Sequence, residues 1–143
     1  MNYKKQAEKL ERFLEEEFRA KSPLTVLSDN SLAYKRFKIK KNNLGLWDLK
    51  HITGDVIETF RLKATAALAA KSYHYCQLHI YNRVKNLDTG YWNNSVDSLV
   101  FKQRYDSTND LDKRDLYLAR WELTQHRSKR YQQEIASMFT NSF

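Results

Sequence analysis

The stretch DVIETFRLKATAALAAKSYHYCQLHIYNRVKNL, residues 55–87, decides the fold, because it carries two apolar stripes at helical spacing where a surface helix needs only one. Leu62, Ala66, Ala69, Tyr73, Cys76, Ile80, Val84 and Leu87 recur at steps of three and four and so share a face. Ile57, Phe60, Ala64, Ala67, Leu68, Tyr75 and Leu78 run alongside them. A helix apolar on more than one side belongs inside a fold, and the small residues between Ala64 and Ala70 let neighbouring backbones come close. Asp55 followed by Glu58 reads as an acidic capping pair. The spacing therefore predicts a central helix over 55–87, closed by a turn or C-cap at Asp88-Thr89-Gly90.

Upstream of this helix the apolar period changes to two. Strands are expected over 24–28, 32–41 and 46–52, a β-meander within 24–52, with turns at Asp29-Asn30 and around 42–45. In the middle strand Ala33, Phe37 and Ile39 should face the core, while Tyr34, Arg36, Lys38 and Lys40 face outward. Matching Trp47 and Leu49 to Ile39 and Phe37 requires an odd-numbered loop over 41–45, with Gly45 at positive φ. Before the meander, residues 2–20 form an amphipathic helix with Tyr3, Ala7, Leu10, Leu14 and Phe18 on one side, stopped by Pro23. The run Glu15 to Glu17 reads as a solvated face with basic neighbours.

Downstream, a helix over 91–105 should turn Trp92, Val96, Leu99 and Val100 inward. The last helix, 112–139, starts with Asp112 as N-cap, Asp115 three residues on and Leu111 set to staple onto Leu116. Tyr117, Trp121, Thr124, Ser128, Tyr131, Ile135 and Met138 form its stripe. The expected fold is α+β: an N-terminal helix, a three-stranded antiparallel meander, and three long helices packed on one face of the sheet. At 143 residues the chain is expected to be a single domain.

The net charge of +8 points to a polyanionic partner only if it is concentrated. Residues 23–54 hold six basic against two acidic residues, which is half of the whole excess. The run Tyr34-Lys35-Arg36-Phe37-Lys38-Ile39-Lys40-Lys41 interleaves cations with aromatics. On a strand, Arg36, Lys38 and Lys40 would stand about 6.5 to 7 Å apart, close to the spacing of phosphates along a nucleic-acid strand. Tyr34 would then be placed to stack on a base. Tyr34, Lys35, Arg36, Lys38, Lys40 and Lys41 are accordingly the candidate nucleic-acid contacts, against the alternative of a solubilising sheet face. The polar, basic second half of the last helix supplies a candidate partner surface: Arg120, Arg127, Lys129, Arg130 and Tyr131.

Signals for catalysis are poor. Gly45, Gly54 and Gly90 are isolated, so no glycine-rich phosphate loop is present. His74 and His79 are five apart, which separates them by about 140° around a helix, so no metal site is expected. Cys76 falls on the apolar stripe and reads as a buried structural thiol. No cofactor is implied. One cysteine and no long apolar run suit a reducing compartment, so a cytoplasmic protein, or one in a particle assembled there, is expected, without membrane insertion.

The order α-β-β-β-α over 2–87 resembles in outline a double-stranded RNA-binding domain. The basic cluster that such a domain carries at the start of its second helix is represented only by Arg61 and Lys63, behind Asp55 and Glu58. There is no Gly-Pro loop between the first strands and a long helical segment follows, so the family's motifs are missing. Three function classes follow, in order: a non-enzymatic binding or assembly protein with a polyanion, nucleic acid foremost, on its basic face and a protein partner or second copy on its helices; a structural subunit of a larger complex such as a viral particle; and an enzyme with a non-local site.

Overall fold

The computed structural model describes residues 2–19, 25–27, 29 and 31–142. Among these residues helix α1 (Tyr3–Arg19) precedes five strands, β1 (Thr25–Val26), β2 (Leu32–Tyr34), β3 (Phe37–Lys41), β4 (Trp47–His51) and β5 (Val56–Phe60). Three helices follow: α2 (Lys63–His74), α3 (Leu78–Ser107) and α4 (Leu111–Ser142). The strands form one antiparallel sheet in sequence order. The architecture is α+β as expected, with the helices gathered on one face of the sheet. Helix α2 lies directly on the sheet, and the antiparallel pair α3–α4 packs behind it.

The core is built from Leu32, Tyr34, Phe37, Ile39, Leu49 and Phe60 of the sheet against Ala66 to Ala70 of α2, with Val84, Leu87, Ile135 and Met138 closing the far side. Every residue from Thr65 to Ser72 is buried, so α2 is the element enclosed on all sides. The two apolar stripes of the sequence have that meaning, but only over this short stretch.

The expected helix over 55–87 is instead three elements. Val56–Phe60 is the fifth strand, pairing Trp47 with Phe60 and Asp48 with Thr59. Asp55 does not cap a helix; its carbonyl accepts the His51 N–H at 2.8 Å, closing the β4–β5 turn. Glu58 pairs with Lys85 of α3 at 3.1 Å. The β-branched content of Val56, Ile57 and Thr59 outweighs a helical spacing that is coincidental at Ile57 and Phe60.

A second break follows α2. The Gln77 N–H reaches the Ser72 carbonyl at 2.9 Å and the Cys76 N–H that of Tyr73 at 3.1 Å, while Cys76 adopts φ 56°. This is a Schellman cap with cysteine where glycine is usual. Cys76 is therefore exposed, contrary to the buried thiol expected.

No turn forms at Asp88-Thr89-Gly90: α3 runs through it and absorbs the helix expected over 91–105. Asp88 is buried and serves α2 from a distance. Its carboxylate accepts the Arg61 N–H at 3.0 Å, the Leu62 N–H at 3.0 Å and the Thr65 hydroxyl at 2.7 Å. Leu62 at the N-cap of α2 offers no side-chain bond, and its own N–H, with that of Arg61 before it, is satisfied by a carboxylate 26 positions away.

The middle strand expected over 32–41 is a hairpin. Tyr34 pairs with Phe37 across a two-residue turn in which Lys35 takes φ 52°. Paired residues share a face, so the turn inverts the parity of β2: Leu32 and Tyr34 face inward and Ala33 outward, the reverse of the expectation. Trp47 and Leu49 share the inner face with Phe37 and Ile39 as expected, through an odd loop with Gly45 at φ 80°. The pairing differs by two residues, with Ile39 opposite Leu49 and Lys41 opposite Trp47, because the loop is 42–46. Asn42 organises it by accepting the Leu44 N–H at 2.9 Å and the Leu46 N–H at 3.0 Å.

At the start of α4 the cap is Asp110, whose carboxylate accepts the Asp112 N–H at 3.0 Å and the Lys113 N–H at 3.3 Å. Leu111 and Leu116 are both exposed, so no staple forms between them. Trp92, Val96 and Leu99 are also exposed rather than inward, because α3 meets α4 through Asn94 on its opposite side. Tyr3, Ala7 and Leu10 of α1 are exposed, whereas Leu14, Phe18 and Glu15 to Glu17 lie outside the described side chains, and Pro23 outside the described residues.

Candidate nucleic-acid interface

With Phe37, Ile39 and Leu49 fixed inward, alternation turns Lys38, Lys40, Asp48 and Lys50 onto the outer face. Lys38 stands directly opposite Lys50, and Lys40 opposite Asp48. The sequence reading missed Lys50, although the alternation Trp47-Asp48-Leu49-Lys50 carries the signal. Asp48 is engaged elsewhere, accepting the Thr59 hydroxyl at 2.8 Å and the Asn42 amide at 3.1 Å.

Asp29, in the β1–β2 turn, reaches Lys38 at 3.4 Å and Lys40 at 4.0 Å. Hydrogen bonds from the Ser31 hydroxyl and N–H, with Lys38 beside it, hold its carboxyl down at about 2. One carboxylate thus serves two lysines. Among the described residues no carboxylate lies within ion-pair distance of Lys50, Lys35 or Arg36.

The remaining candidates divide. Lys35 and Arg36 form the β2–β3 turn at one end of the ladder, both exposed, with the Arg36 guanidinium 5.7 Å from the Phe37 ring centroid. Tyr34 is only 2% exposed and packs its ring edge-on to His74 and Tyr75, so it cannot stack on a base. Lys41 belongs to the other face and the other end, where its ammonium lies 6.0 Å from the Trp47 ring and that of Lys63 5.1 Å from it.

On the last helix, Arg127, Arg130, Tyr131 and Glu134 line a shallow cleft of about 210 Å³, and Glu134 is already held by Arg83 at 2.7 Å. Arg120 stacks over Phe101 at 5.7 Å. Lys129 turns away toward Trp121, Gln125 and His126. Three of the five expected partner residues are therefore brought together.

Among the described residues no group of three or more His, Cys, Asp or Glu could hold a metal ion, and no helix is long and apolar enough to cross a membrane. His51 is engaged through Nδ1 with the Thr53 hydroxyl at 2.9 Å. Burial, then the nearby Arg36 and Lys35, holds His74 below the usual histidine value. No family model matches the chain, and neither a curated protein nor a solved structure matches it.

Proposed function

We propose that this is a non-enzymatic binding and assembly protein whose outer sheet face contacts a polyanion, with nucleic acid as the ligand whose charge spacing the face fits. One observation carries the reading: Lys38 and Lys50 are placed directly opposite each other on the outer face, with Lys40 one step along the same strand. Like charges directly opposite destabilise a sheet. Asp29 compensates Lys38 and Lys40 only in part and leaves Lys50 unpaired among the described residues. A row of phosphates would relieve that repulsion. Lys38 and Lys40 are about 6.5 to 7 Å apart along the strand, and Lys35 and Arg36 extend the row.

The test is the salt dependence of binding to single- and double-stranded nucleic acid. Contacts by three or four cations give a log-log slope of about −2 to −4. Charge reversal at Lys38, Lys40 and Lys50 should abolish binding while the fold persists. Absence of wild-type binding at low salt would sink the reading.

A second reading is favoured by its own observation. The α3–α4 arm exposes Trp92, Val96 and Leu99 of α3, the first two on the side opposite Asn94, through which α3 meets α4. Such a stripe suits a structural subunit of a larger complex, a viral particle for example, docking through that arm.

A further inference from the structure

We propose that the nucleic acid held by this face is single-stranded, and that the sheet end formed by Lys35, Arg36, His51 and Tyr73 receives an unstacked base. The proposal rests on the reading of the lysine face as a nucleic-acid surface. It is carried by what the β2–β3 turn and the C-terminal turn of α2 build together.

Phe37 is the centre of that end. The rings of Tyr73, His51 and His74 stand edge-on around it at 5.5, 5.9 and 6.2 Å. Phe37 itself is buried, but Tyr73 leaves 40% of its surface open at the rim. Lys35 and Arg36 project from the turn beside these rings, and Ile52 donates its N–H to the Arg36 carbonyl at 2.8 Å, tying the turn to the end of β4. Aromatic surface next to exposed cations is the combination that holds a base and its own phosphate.

Backbone strain falls in the same place. Among the described residues, the two non-glycine residues with left-handed backbone, Lys35 at φ 52° and Cys76 at φ 56°, sit in the two turns that make this end. Each carries a cost of about 1–2 kcal/mol that glycine would avoid. At Lys35 the cost is borne where a cation is presented to solvent, which is where strain accompanies a site.

The lysine ladder, Lys40 then Lys38, runs along β3 toward this end, and Arg36 follows in the β2–β3 turn with its guanidinium 5.7 Å from the Phe37 ring. A duplex could lay phosphates on the ladder, but its bases are stacked inside pairs and would not reach Tyr73. Only an unpaired strand can follow the lysines on the outer face and turn a base round this sheet end onto Tyr73, which α2 holds on the inner face beside Phe37. Burial, then the nearby Arg36 and Lys35, disfavours the charged form of His74, so it contributes ring surface rather than charge.

The experiment measures fluorescence anisotropy of a labelled oligonucleotide of about 20 nucleotides, single-stranded or annealed to its complement, titrated with wild type, Tyr73→Ala, Tyr73→Phe and the triple Lys38→Glu, Lys40→Glu, Lys50→Glu variant. The expected result is about tenfold preference for the single strand and about tenfold loss on Tyr73→Ala with an unchanged salt slope, since stacking releases no counterions. Tyr73→Phe should stay within about twofold of wild type. Equal affinity for both forms, or wild-type affinity in Tyr73→Ala, overturns the proposal while the polyanion face survives, provided the triple variant loses binding. No wild-type binding to either form overturns both. Should Tyr73→Ala fail to fold, photocrosslinking of wild type to an oligonucleotide carrying 5-iodouracil decides: adducts on peptides containing Tyr73 or His51 support the base site, and adducts confined to other peptides overturn it.

Discussion

Gly90 of α3 lies against the ring of Tyr131 of α4 so closely that a Cβ on it would stand 2.7 Å from the tyrosine oxygen and 2.9 Å from two ring carbons. The residue that looks like a turn signal in the sequence is a helix–helix contact. Within a helix, glycine to alanine ordinarily gains about 1 kcal/mol. Here the sign should reverse, with Gly90→Ala costing about 1 to 3 kcal/mol by overpacking. In a Tyr131→Ala background the same change should stabilise, and urea titrations of the four proteins measure the coupling.

Asp88 is expected to be the costliest single polar truncation among the described residues. Removing its carboxylate leaves the Arg61 and Leu62 N–H groups without an acceptor, while the Thr65 hydroxyl keeps the Leu62 carbonyl at 3.0 Å. Each unsatisfied buried group costs about 1–3 kcal/mol. Asp88→Ala should therefore lose about 2 kcal/mol or more, and Asp88→Asn less, since one acceptor oxygen remains. A loss under about 1 kcal/mol for the alanine variant would mean that α2 does not depend on this cap.

What could be read in the sequence follows from where local chemistry agrees with tertiary placement. The α+β order, the odd β3–β4 loop with Gly45 and the buried alanine stretch from Ala66 to Ala70 were legible because alternation and periodicity there are undisturbed. The breaks were not. Lys35 and Cys76 hold positions where glycine or asparagine would have announced a turn, and Gly90 announces one where none exists. The cap of α2 was invisible because Asp88 is distant in sequence. Lysine alternation is readable in β3, but the hairpin at Lys35 reverses the alternation before it and so turns Tyr34 inward with no glycine or asparagine to signal the change.

Cys76 allows a direct check of that cap. Replacing a left-handed non-glycine residue by glycine removes steric strain of about 1–2 kcal/mol and returns part of it as unfolded-state entropy. Cys76→Gly should raise the midpoint of thermal unfolding, whereas Cys76→Val should lower it. If glycine destabilises, the thiol makes contacts that outweigh the backbone.

Two buried groups set opposing limbs of an alkaline stability profile. Burial lowers the Lys71 ammonium to about 8, so between pH 8 and 10.5 the unfolded chain binds more protons and stability rises with pH. Burial, then the Glu58 carboxylate, raises the Tyr81 hydroxyl to about 12, so between pH 10 and 12 the unfolded chain has already lost a proton and stability falls. From these two groups a maximum near pH 10 is expected. Lys71→Met should flatten the rising limb and Tyr81→Phe the falling one, as followed by denaturant midpoints across pH.

Lys50 is the position at which stability and binding should move in opposite directions. It faces Lys38 across the sheet, and among the described residues it has no carboxylate partner. Lys50→Thr removes a like-charge pair and adds a β-branched residue, which should stabilise by about 0.2–1 kcal/mol. The gain should shrink in about 1 M salt, where the screening length falls to about 3 Å. The same variant should weaken binding to single-stranded nucleic acid and make its log-log salt slope shallower by about 0.7, the share of one phosphate contact. Lys38→Thr makes the control, because it also breaks the contact with Asp29 at 3.4 Å and so should gain less stability. If Lys50→Thr destabilises the fold and leaves binding unchanged, Lys50 is a structural residue and the polyanion contact lies elsewhere, with the cleft of Arg127 and Arg130 the next place to test.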